Sequence, residues 1–295
     1  MWRWVEGWAA DASPSLDPAG HWAHPGIEVR GDVVWTSHPN GHTLLGYSRG
    51  GELLHERETG LLELHCIRLP WLVDTGSKRF VHGGDFETER RRGSVGDLPD
   101  PYADGRKYSP TSVVVDANGS IWIADGYGQS LVHRYTDGAL DLTLDGFDTP
   151  HSLAVDGDAL LVCDRAHGVI KEYGLDGTLR RELGGGVVVT PTDLVIVGDV
   201  LVLTDFTGAR LTVLTRDGEL VEHLFAGDRS PDEDAWPNAR AADGTIVRPP
   251  LRAGAFNSPH TLAADDGGDL YVTEWLIGGR VTKLTRYRGG SWISA

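Results

Sequence analysis

The sequence predicts an all-β fold, a six-bladed β-propeller, from three observations. Units of about forty residues repeat along the chain, most clearly from Thr111, His151 and Thr192, as expected of four-stranded blades. Within each unit, short apolar runs are separated by pairs such as Asn118-Gly119 and Asp176-Gly177, which tolerate the positive φ of tight hairpins. When the same register is extended along the chain, it gives six blade openings, at Pro25, His65, Thr111, His151, Thr192 and His260.

The first and last strands are predicted to complete one blade together. The unit that opens at His260 has only three strands, whereas residues 1–8 are strand-like and have no other partner. Because an unpaired edge strand favours unwanted pairing between molecules, we expect the N-terminal strand to close the last blade. We therefore interpret residues 1–295 as a single propeller domain.

Two stretches interrupt the regular spacing. The interval between Thr192 and His260 is too long by one loop, and the excess, residues 228–255, is rich in Pro, Asp, Arg and Ala without periodicity. We expect this excursion to cross one face of the propeller. The second repeat is also irregular, because a charged stretch from Glu87 to Arg92 precedes a turn-rich segment that runs to Pro110.

Composition excludes several classes of partner. The formal net charge of −16 argues against nucleic acids and anionic membranes, which bind basic surfaces. The chain has no apolar run of about eighteen residues and no signal-peptide pattern at its N-terminus. Its two cysteines, Cys66 and Cys163, lie in apolar strands of different repeats and are expected to be buried thiols. These features predict a soluble cytoplasmic protein whose partner is a small molecule.

Histidine occupies the opening position of every second repeat. His65, His151 and His260 alternate with Thr111 and Thr192 at that position. In a closed propeller, such residues converge at one rim of the central channel, and three neutral imidazoles there suit Zn²⁺ with a further position open. Fe²⁺, Mn²⁺ and Co²⁺ are also compatible with these ligands. The alternative, polar plugs that hydrogen-bond to the backbone, does not account for the strict alternation. His24 is one position out of register and is not included.

Three motifs, FDTPHSLAV, IWIADGYGQS and FNSPHTLA, resemble those of peptidyl-α-hydroxyglycine α-amidating lyase, the lyase half of peptidylglycine α-amidating monooxygenase. The resemblance extends from about Ile27 to Tyr287 and is clearest from Pro110 onward. It implies a propeller of NHL-like repeats with a zinc ion held by three histidines, and active-site roles for a tyrosine and an arginine. The matching residues are His65, His151 and His260 for the metal, with Tyr127 and Arg165 for catalysis.

The chain departs from the family pattern at several positions. His38, in WTSHPNG, stands where the family has a second active-site arginine, and we expect it to take part of that role when protonated. Thr261 replaces an aspartate that helps to bind a structural calcium, which argues against calcium, although the carbonyl of Ile67 falls at another calcium position. The family's disulfides and its fused copper monooxygenase have no counterpart in this sequence.

The resemblance implies cleavage of a carbinolamide, such as an N-acyl-α-hydroxyglycine, into an amide and glyoxylate. Tyr127 is expected to act as general base or acid, and Arg165 to hold the tyrosinate or the substrate carboxylate. The excursion, with Arg248 and Arg252, is expected to be a lid over the substrate. Two alternatives remain open: another metal-dependent lyase, cyclase or hydrolase step on a natural-product intermediate, and a non-enzymatic NHL-type binding platform. A platform has no need of three converging imidazoles.

Overall fold

Short antiparallel strands around a central axis make up the fold, so the predicted all-β propeller is confirmed. The structure is a computed structural model that describes residues 1–9, 20–76, 79–82 and 101–287, with the backbone alone for 79–82. We number the sheets 1 to 6 in chain order, leaving aside a two-stranded hairpin. Their innermost strands contact one another in a closed circle around the axis.

The N-terminal strand is β1 (Trp2–Val5), and sheet 1 contains β2 (Ile27–Arg30), β3 (Val33–Ser37), β4 (Thr43–Ser48) and β5 (Leu53–Glu58). Sheet 2 contains β6 (Leu64–Arg68), β7 (Trp71–Asp74) and β8 (Arg79–His82). Sheet 3 contains β9 (Ser112–Val115), β10 (Ile121–Asp125), β11 (Leu131–Thr136) and β12 (Ala139–Leu144).

Sheet 4 contains β13 (Pro150–Asp156), β14 (Ala159–Asp164), β15 (Val169–Gly174) and β16 (Leu179–Leu183). Sheet 5 contains β17 (Pro191–Val197), β18 (Val200–Asp205), β19 (Arg210–Thr215) and β20 (Leu220–Leu224). The hairpin is formed by β21 (Ala239–Arg240) and β22 (Ile246–Val247), and sheet 6 contains β23 (Pro259–Ala264), β24 (Leu270–Glu274) and β25 (Arg280–Arg286) together with β1.

The number of complete blades differs from the prediction. Five sheets have the four strands of a propeller blade, where the sequence predicts six such blades, and sheet 2 has three strands. The fourth strand predicted there would fall in residues 83–100, which lie outside the described part of the chain. That stretch carries the charged run from Glu87 to Arg92, which lacks the apolar periodicity of a blade strand.

The N-terminal strand completes sheet 6, as predicted. Strand β1 pairs antiparallel with β25, in a register that places Trp2 opposite Arg286 and Val5 opposite Lys283. The indole Nε1 of Trp2 donates a hydrogen bond of 2.8 Å to the carbonyl of Gly268, and its ring is buried in the core between sheets 5 and 6. Pairing of the two terminal strands therefore closes the ring of sheets and leaves β25 without a free edge.

Burial explains why the middle strands read as continuous apolar runs. Strands β14 and β18 are buried at every position, because each sheet packs against a neighbour on both faces.

Cys66 and Cys163 are free and buried in this packing, as predicted. None of the described residues forms a helix long and apolar enough to span a membrane.

In each of sheets 2 to 6, the second strand ends in a buried acidic residue whose hydrogen bonds hold the loop that leads to the channel. Asp74 accepts hydrogen bonds from the backbone N–H groups of Leu62 and Glu63 at 3.0 and 2.9 Å. Charge-assisted bonds of this kind satisfy donors that burial would otherwise leave unpaired. The equivalent acids Asp125, Asp164, Asp205 and Glu274 accept from backbone groups of Ser109, Asp148, Val189, Thr190, Asn257 and Ser258.

Asp193, the residue after the opening Thr192, joins several sheets near the axis. Its carboxylate accepts hydrogen bonds from the hydroxyl of Ser152 and from the backbone N–H of Leu262 at 3.1 Å, and it lies 3.4 Å from Arg68 Nη2. Arg68 Nη1 in turn donates to the carbonyls of Ile27 and Ile67 at 3.1 and 2.8 Å. A single ion pair between the buried Asp193 and the partly buried Arg68 therefore connects sheets 1, 2, 4, 5 and 6.

Replacement Asp193→Ala should lower the free energy of unfolding by about 3–5 kcal/mol, because it leaves Arg68 and three further donors without their buried acceptor. Urea denaturation of the full chain measures this loss. Asp199→Ala, at an exposed position in the same sheet, is the control and should change stability by less than about 0.5 kcal/mol. Equal losses in the two variants would contradict the role of the ion pair.

Candidate metal centre

Four histidines converge at the axis of the propeller. The structure brings together His65, His151 and His260, the three residues singled out by their alternation, and adds His24. One ring nitrogen from each lies within 4.8 Å of the corresponding atoms of the others. The three strand histidines are buried, and the side chain of His24 is 15% exposed.

Irregular strand pairing aims the three strand histidines at the axis. In sheet 2, Leu64 pairs with Asp74 and Cys66 with Val73, so His65 between them has no partner in the ladder. The same shift leaves out His151 in sheet 4, and His260 with its neighbour in sheet 6. A β-bulge re-aims the side chain of its extra residue. The ligand positions are therefore bulge positions.

A backbone carbonyl of the next sheet holds each of these imidazoles. Nδ1 of His65 lies 2.7 Å from the carbonyl oxygen of Thr111, and Nδ1 of His151 lies 2.7 Å from that of Thr192. Nδ1 of His260 lies 3.1 Å from the carbonyl oxygen of Pro25. A carbonyl only accepts, so Nδ1 carries the proton and Nε2 keeps its lone pair.

The residues present fit a metal ion of the kind that binds imidazole. Burial lowers the pKa of His65, His151 and His260 well below 6.5, and His24 lowers it further, so the three rings are neutral at pH 7. Neutral imidazole is the form that binds metal. Nε2 of His260 is buried without any hydrogen-bond partner, which is costly unless something else occupies its lone pair.

Tyr127 lies against the cluster, and Arg165 lies against Tyr127. The phenol oxygen is 2.9 Å from Nε2 of His151 and 3.5 Å from Nε2 of His65. Nη1 of Arg165 donates to the same oxygen at 3.4 Å. Burial raises the pKa of Tyr127 to about 12 despite the opposing effect of Arg165, so the side chain is a neutral phenol at pH 7.

The turn that carries Tyr127 depends on a glycine. Gly126 follows the buried Asp125 and lies against the carbonyl of Pro150, the residue before His151. A Cβ at this position would lie well inside van der Waals contact of that carbonyl and 2.7 Å from Thr111 Oγ1. Only glycine allows this approach between sheets 3 and 4, and it brings Tyr127 to the histidines.

The sequence argument did not include His24, although its ring belongs to the cluster. His24 precedes strand β2, in a segment that the regular repeat does not describe, and Nε2 lies 3.3 Å from the oxygen of Tyr127. Nδ1 lies 2.7 Å from a carboxylate oxygen of Glu63. The available signal was the pair His24-Pro25 at the first blade opening, which places a histidine next to a proline as Pro150-His151 and Pro259-His260 do in the reverse order.

None of the described contacts of His38 is with Tyr127. Nδ1 accepts a hydrogen bond of 3.1 Å from the backbone N–H of Asn40, and the ring faces His21 at 6.5 Å between centroids. Burial lowers the pKa of His38, so its ring is neutral at pH 7 and lacks the charge of the arginine that it was expected to replace. It lines a cavity of about 500 Å³, which Arg248 also lines.

Aromatic side chains adjoin the cluster. The guanidinium of Arg165 lies 5.2 Å from the ring centre of Phe206, and Phe206 contacts Trp275 at 5.6 Å between centroids. Trp275 in turn lies 6.1 Å from the ring of His24. Trp236, from the excursion, contacts Phe206 at 5.0 Å. The site therefore has a polar centre with an apolar wall on one side.

The excursion, residues 228–255, is attached to sheet 6. The amide oxygen of Asn238 accepts a hydrogen bond of 2.8 Å from the backbone N–H of Ile277, and Arg248 donates to the carbonyl of Gly279 at 2.8 Å. Arg252 pairs with Asp228 at 3.2 Å, within the excursion itself. The carbonyl of Arg252 accepts a hydrogen bond of 2.9 Å from Nη1 of Arg280 in sheet 6. Both arginine residues expected on a lid are therefore bonded to the body of the propeller, Arg248 through its side chain and Arg252 through its backbone.

Fold and site together define a β-propeller with a buried histidine cluster at its axis. The chain is 26% identical over 256 residues to a probable peptidyl-α-hydroxyglycine α-amidating lyase of Caenorhabditis elegans, covering 80% of this chain and 68% of that protein. The resemblance drawn from the motifs is thus confirmed. No protein-family profile matches the chain.

Solved structures agree on the fold. One is the virginiamycin B lyase of Staphylococcus aureus, with a TM-score of 0.60 and 14% identity over 97% of this chain and 99% of that chain. Another is a gluconolactonase of Xanthomonas campestris, with a TM-score of 0.62 and 18% identity over 96% of this chain and 94% of that chain. At sequence identities this low, the structural similarity shows a shared propeller fold and does not indicate a shared reaction.

Replacement Gly126→Ala should destabilise the protein by about 1–3 kcal/mol, because the added Cβ forces the backbones of sheets 3 and 4 apart. Thermal unfolding measures the effect. Gly185→Ala is the matched control, since its Cβ would meet only Val169 at 3.8 Å. If Gly126→Ala unfolds like the control, the close approach does not constrain the turn.

Proposed function

We propose that this chain is a zinc-dependent carbon–nitrogen lyase. Its substrate is a small N-acyl-α-hydroxyglycine or a similar carbinolamide, and its products are an amide and glyoxylate or an analogous carbonyl compound. The observation that carries the proposal is the convergence of three neutral, inward-facing imidazoles beside Tyr127, in a chain similar to an amidating lyase. These imidazoles, from His65, His151 and His260, are the proposed zinc ligands, and Fe²⁺ or Mn²⁺ would be less typical ions for the same donors.

The reaction breaks one carbon–nitrogen bond and moves one proton. In R–CO–NH–CH(OH)–COO⁻ the hydroxyl loses its proton as the carbonyl of glyoxylate forms, and the amide nitrogen gains a proton as R–CO–NH₂ leaves. Zinc, when bound, supplies a Lewis acid that lowers the pKa of the hydroxyl. Tyr127, whose oxygen lies 2.9 Å from Nε2 of His151, donates its phenol proton to the leaving nitrogen and receives the hydroxyl proton in return.

Arg165 assists at the same oxygen. Its guanidinium, 3.4 Å from the phenol oxygen, stabilises the transient phenolate and is available to the substrate carboxylate through charge-assisted bonds. His38, which is neutral and lies apart from Tyr127, contributes to the lining of the neighbouring cavity and not to proton transfer. The aromatic wall of Phe206 and Trp275 favours a substrate whose acyl group is apolar.

The proposal also covers the sixth blade, the calcium position and the cellular location. We count sheet 2 as the sixth blade, since its innermost strand β6 contacts β2 and β9 and carries His65 at the opening position. The carbonyl of Ile67 accepts a hydrogen bond from Arg68, so we propose that this guanidinium takes the position that the resemblance offers to calcium. Free, buried cysteines suit a reducing cytoplasm, and the acidic chain is expected to act on a small molecule.

Protein purified without a metal-affinity tag should contain about one zinc per chain, and His151→Ala should lose both the metal and glyoxylate formation. Elemental analysis and product analysis with N-acyl-α-hydroxyglycines measure the two quantities. His223→Ala, at an exposed position on β20, is the control and should retain both. Full metal content and activity in His151→Ala would contradict the proposed centre.

Replacement Tyr127→Phe should lower kcat by about 10²- to 10⁴-fold, because the phenyl ring has no proton to transfer, while the zinc content stays unchanged. Tyr287→Phe, at an exposed tyrosine, should have wild-type kinetics. Steady-state kinetics together with elemental analysis separate loss of catalysis from loss of metal. Wild-type kcat in Tyr127→Phe would remove the tyrosine from the mechanism.

A further inference from the structure

His24 belongs to the cluster by position, although it does not belong to the alternating set. Its ring lies 4.3 Å from that of His65 and 4.6 Å from that of His260, between centroids. One of its ring nitrogens falls within the same 4.8 Å group of ligand atoms as those of the three strand histidines. A histidine that served only to cover the channel would not need to turn a nitrogen to the same point.

A carboxylate orients this imidazole. Nδ1 of His24 lies 2.7 Å from Oε1 of Glu63, so the carboxylate accepts a hydrogen bond from the N–H group at Nδ1. Nε2 then faces the cluster and Tyr127. Metal-bound histidines almost always give their second N–H to a carboxylate or a carbonyl. His65, His151 and His260 use carbonyls for this purpose, and His24 uses Glu63.

Both partners are held by the backbone around them. The N–H of Ala23 donates to the carbonyl of Leu276 at 3.0 Å, and the carbonyl of Pro25 accepts hydrogen bonds from Thr261 and Thr273 at 2.8 and 3.1 Å. Glu63 is fixed through its own N–H, which donates to the buried Asp74 at 2.9 Å. The pair is therefore built into the junction of sheets 1, 2 and 6.

A second histidine–carboxylate pair shows what an ordinary surface pair looks like in this chain. Nδ1 of His42 lies 2.8 Å from Oε2 of Glu58, but the His42 side chain is 45% exposed, whereas that of His24 is 15% exposed. His42 is not among the histidines whose nitrogens cluster in the described part of the chain. The distances from Nδ1 to the carboxylate are nearly equal in the two pairs, whereas the burial of the ring and the surroundings of Nε2 differ.

We propose that His24, oriented by Glu63, is a fourth protein ligand of the metal that the three strand histidines hold. The inference rests on the proposed function only in that the same site binds a metal. Four imidazoles favour late first-row ions such as Zn²⁺, Co²⁺ and Ni²⁺ over Mg²⁺ and Ca²⁺, which prefer oxygen ligands. This chain then differs from a site with three protein ligands and an open fourth position, and the substrate hydroxyl of the proposed reaction would enter as a fifth ligand.

The experiment counts imidazoles and measures affinity. X-ray absorption spectroscopy of the zinc-loaded full chain should show four imidazole ligands, and three in His24→Ala. Competition with a chromophoric chelator should show zinc affinity lower by about 10- to 100-fold in His24→Ala and in Glu63→Gln. His42→Ala, the matched control, should keep wild-type affinity, and circular dichroism should show that all variants are folded.

Three imidazoles in the wild-type protein, with unchanged affinity in His24→Ala and Glu63→Gln, would overturn the inference while leaving the three-histidine centre intact. Four imidazoles without glyoxylate formation would support the inference and overturn the proposed reaction. Failure of the wild-type protein to take up zinc, cobalt or nickel would overturn both. The spectroscopic and affinity measurements do not depend on activity, so the outcomes are distinguishable.

Discussion

The bond from each strand histidine to a carbonyl of the next sheet is the interaction on which the rest of the site depends. This bond sets the tautomer: a carbonyl can only accept a hydrogen bond, so Nδ1 must carry the proton. The lone pair of Nε2 is thereby turned toward the axis. The bond also ties neighbouring sheets together at three points around the ring. The accepting carbonyls belong to Thr111, Thr192 and Pro25, the openings without histidine, so one set of sheets provides rings and the other provides the backbone that holds them.

Burial then prepares the centre electrostatically. Desolvation disfavours charge, which keeps the strand histidines neutral and Tyr127 protonated. Several lone pairs of buried rings consequently face one another, and that of His260 has no partner among the described residues. Such an arrangement is unfavourable by itself and becomes favourable when a cation accepts the lone pairs. A bound cation would also favour the phenolate of Tyr127, by the same electrostatic rule.

Departures from the family pattern acquire physical meaning in the structure. Arg68 donates to the carbonyl of Ile67, so an internal guanidinium, balanced by Asp193, satisfies an oxygen that the resemblance assigns to calcium. His38, where the resemblance implies an arginine, is a buried neutral ring that lines the cavity next to Arg248, and none of its described contacts is with Tyr127. His24 and Glu63 add a histidine–carboxylate pair where the alternating pattern has none. The centre therefore has the three strand histidines that the resemblance implies and differs from the implied pattern around them.

The strand repeat and the alternation of His65, His151 and His260 could be predicted from the amino-acid order, because they depend on local periodicity and on equivalent positions within a repeat. The pairing of the terminal strands followed from the missing fourth strand of the last repeat. The second repeat was harder to predict, because a charged stretch replaces the apolar pattern there. In contrast, the folded structure was needed to show that the ligands lie at β-bulges, that Gly126 permits the approach of Tyr127, and that His24 joins the cluster. These features arise from contacts between sheets that are far apart in the chain. A short-range sequence pattern does not determine which backbone segment will lie opposite a given side chain once the ring is closed.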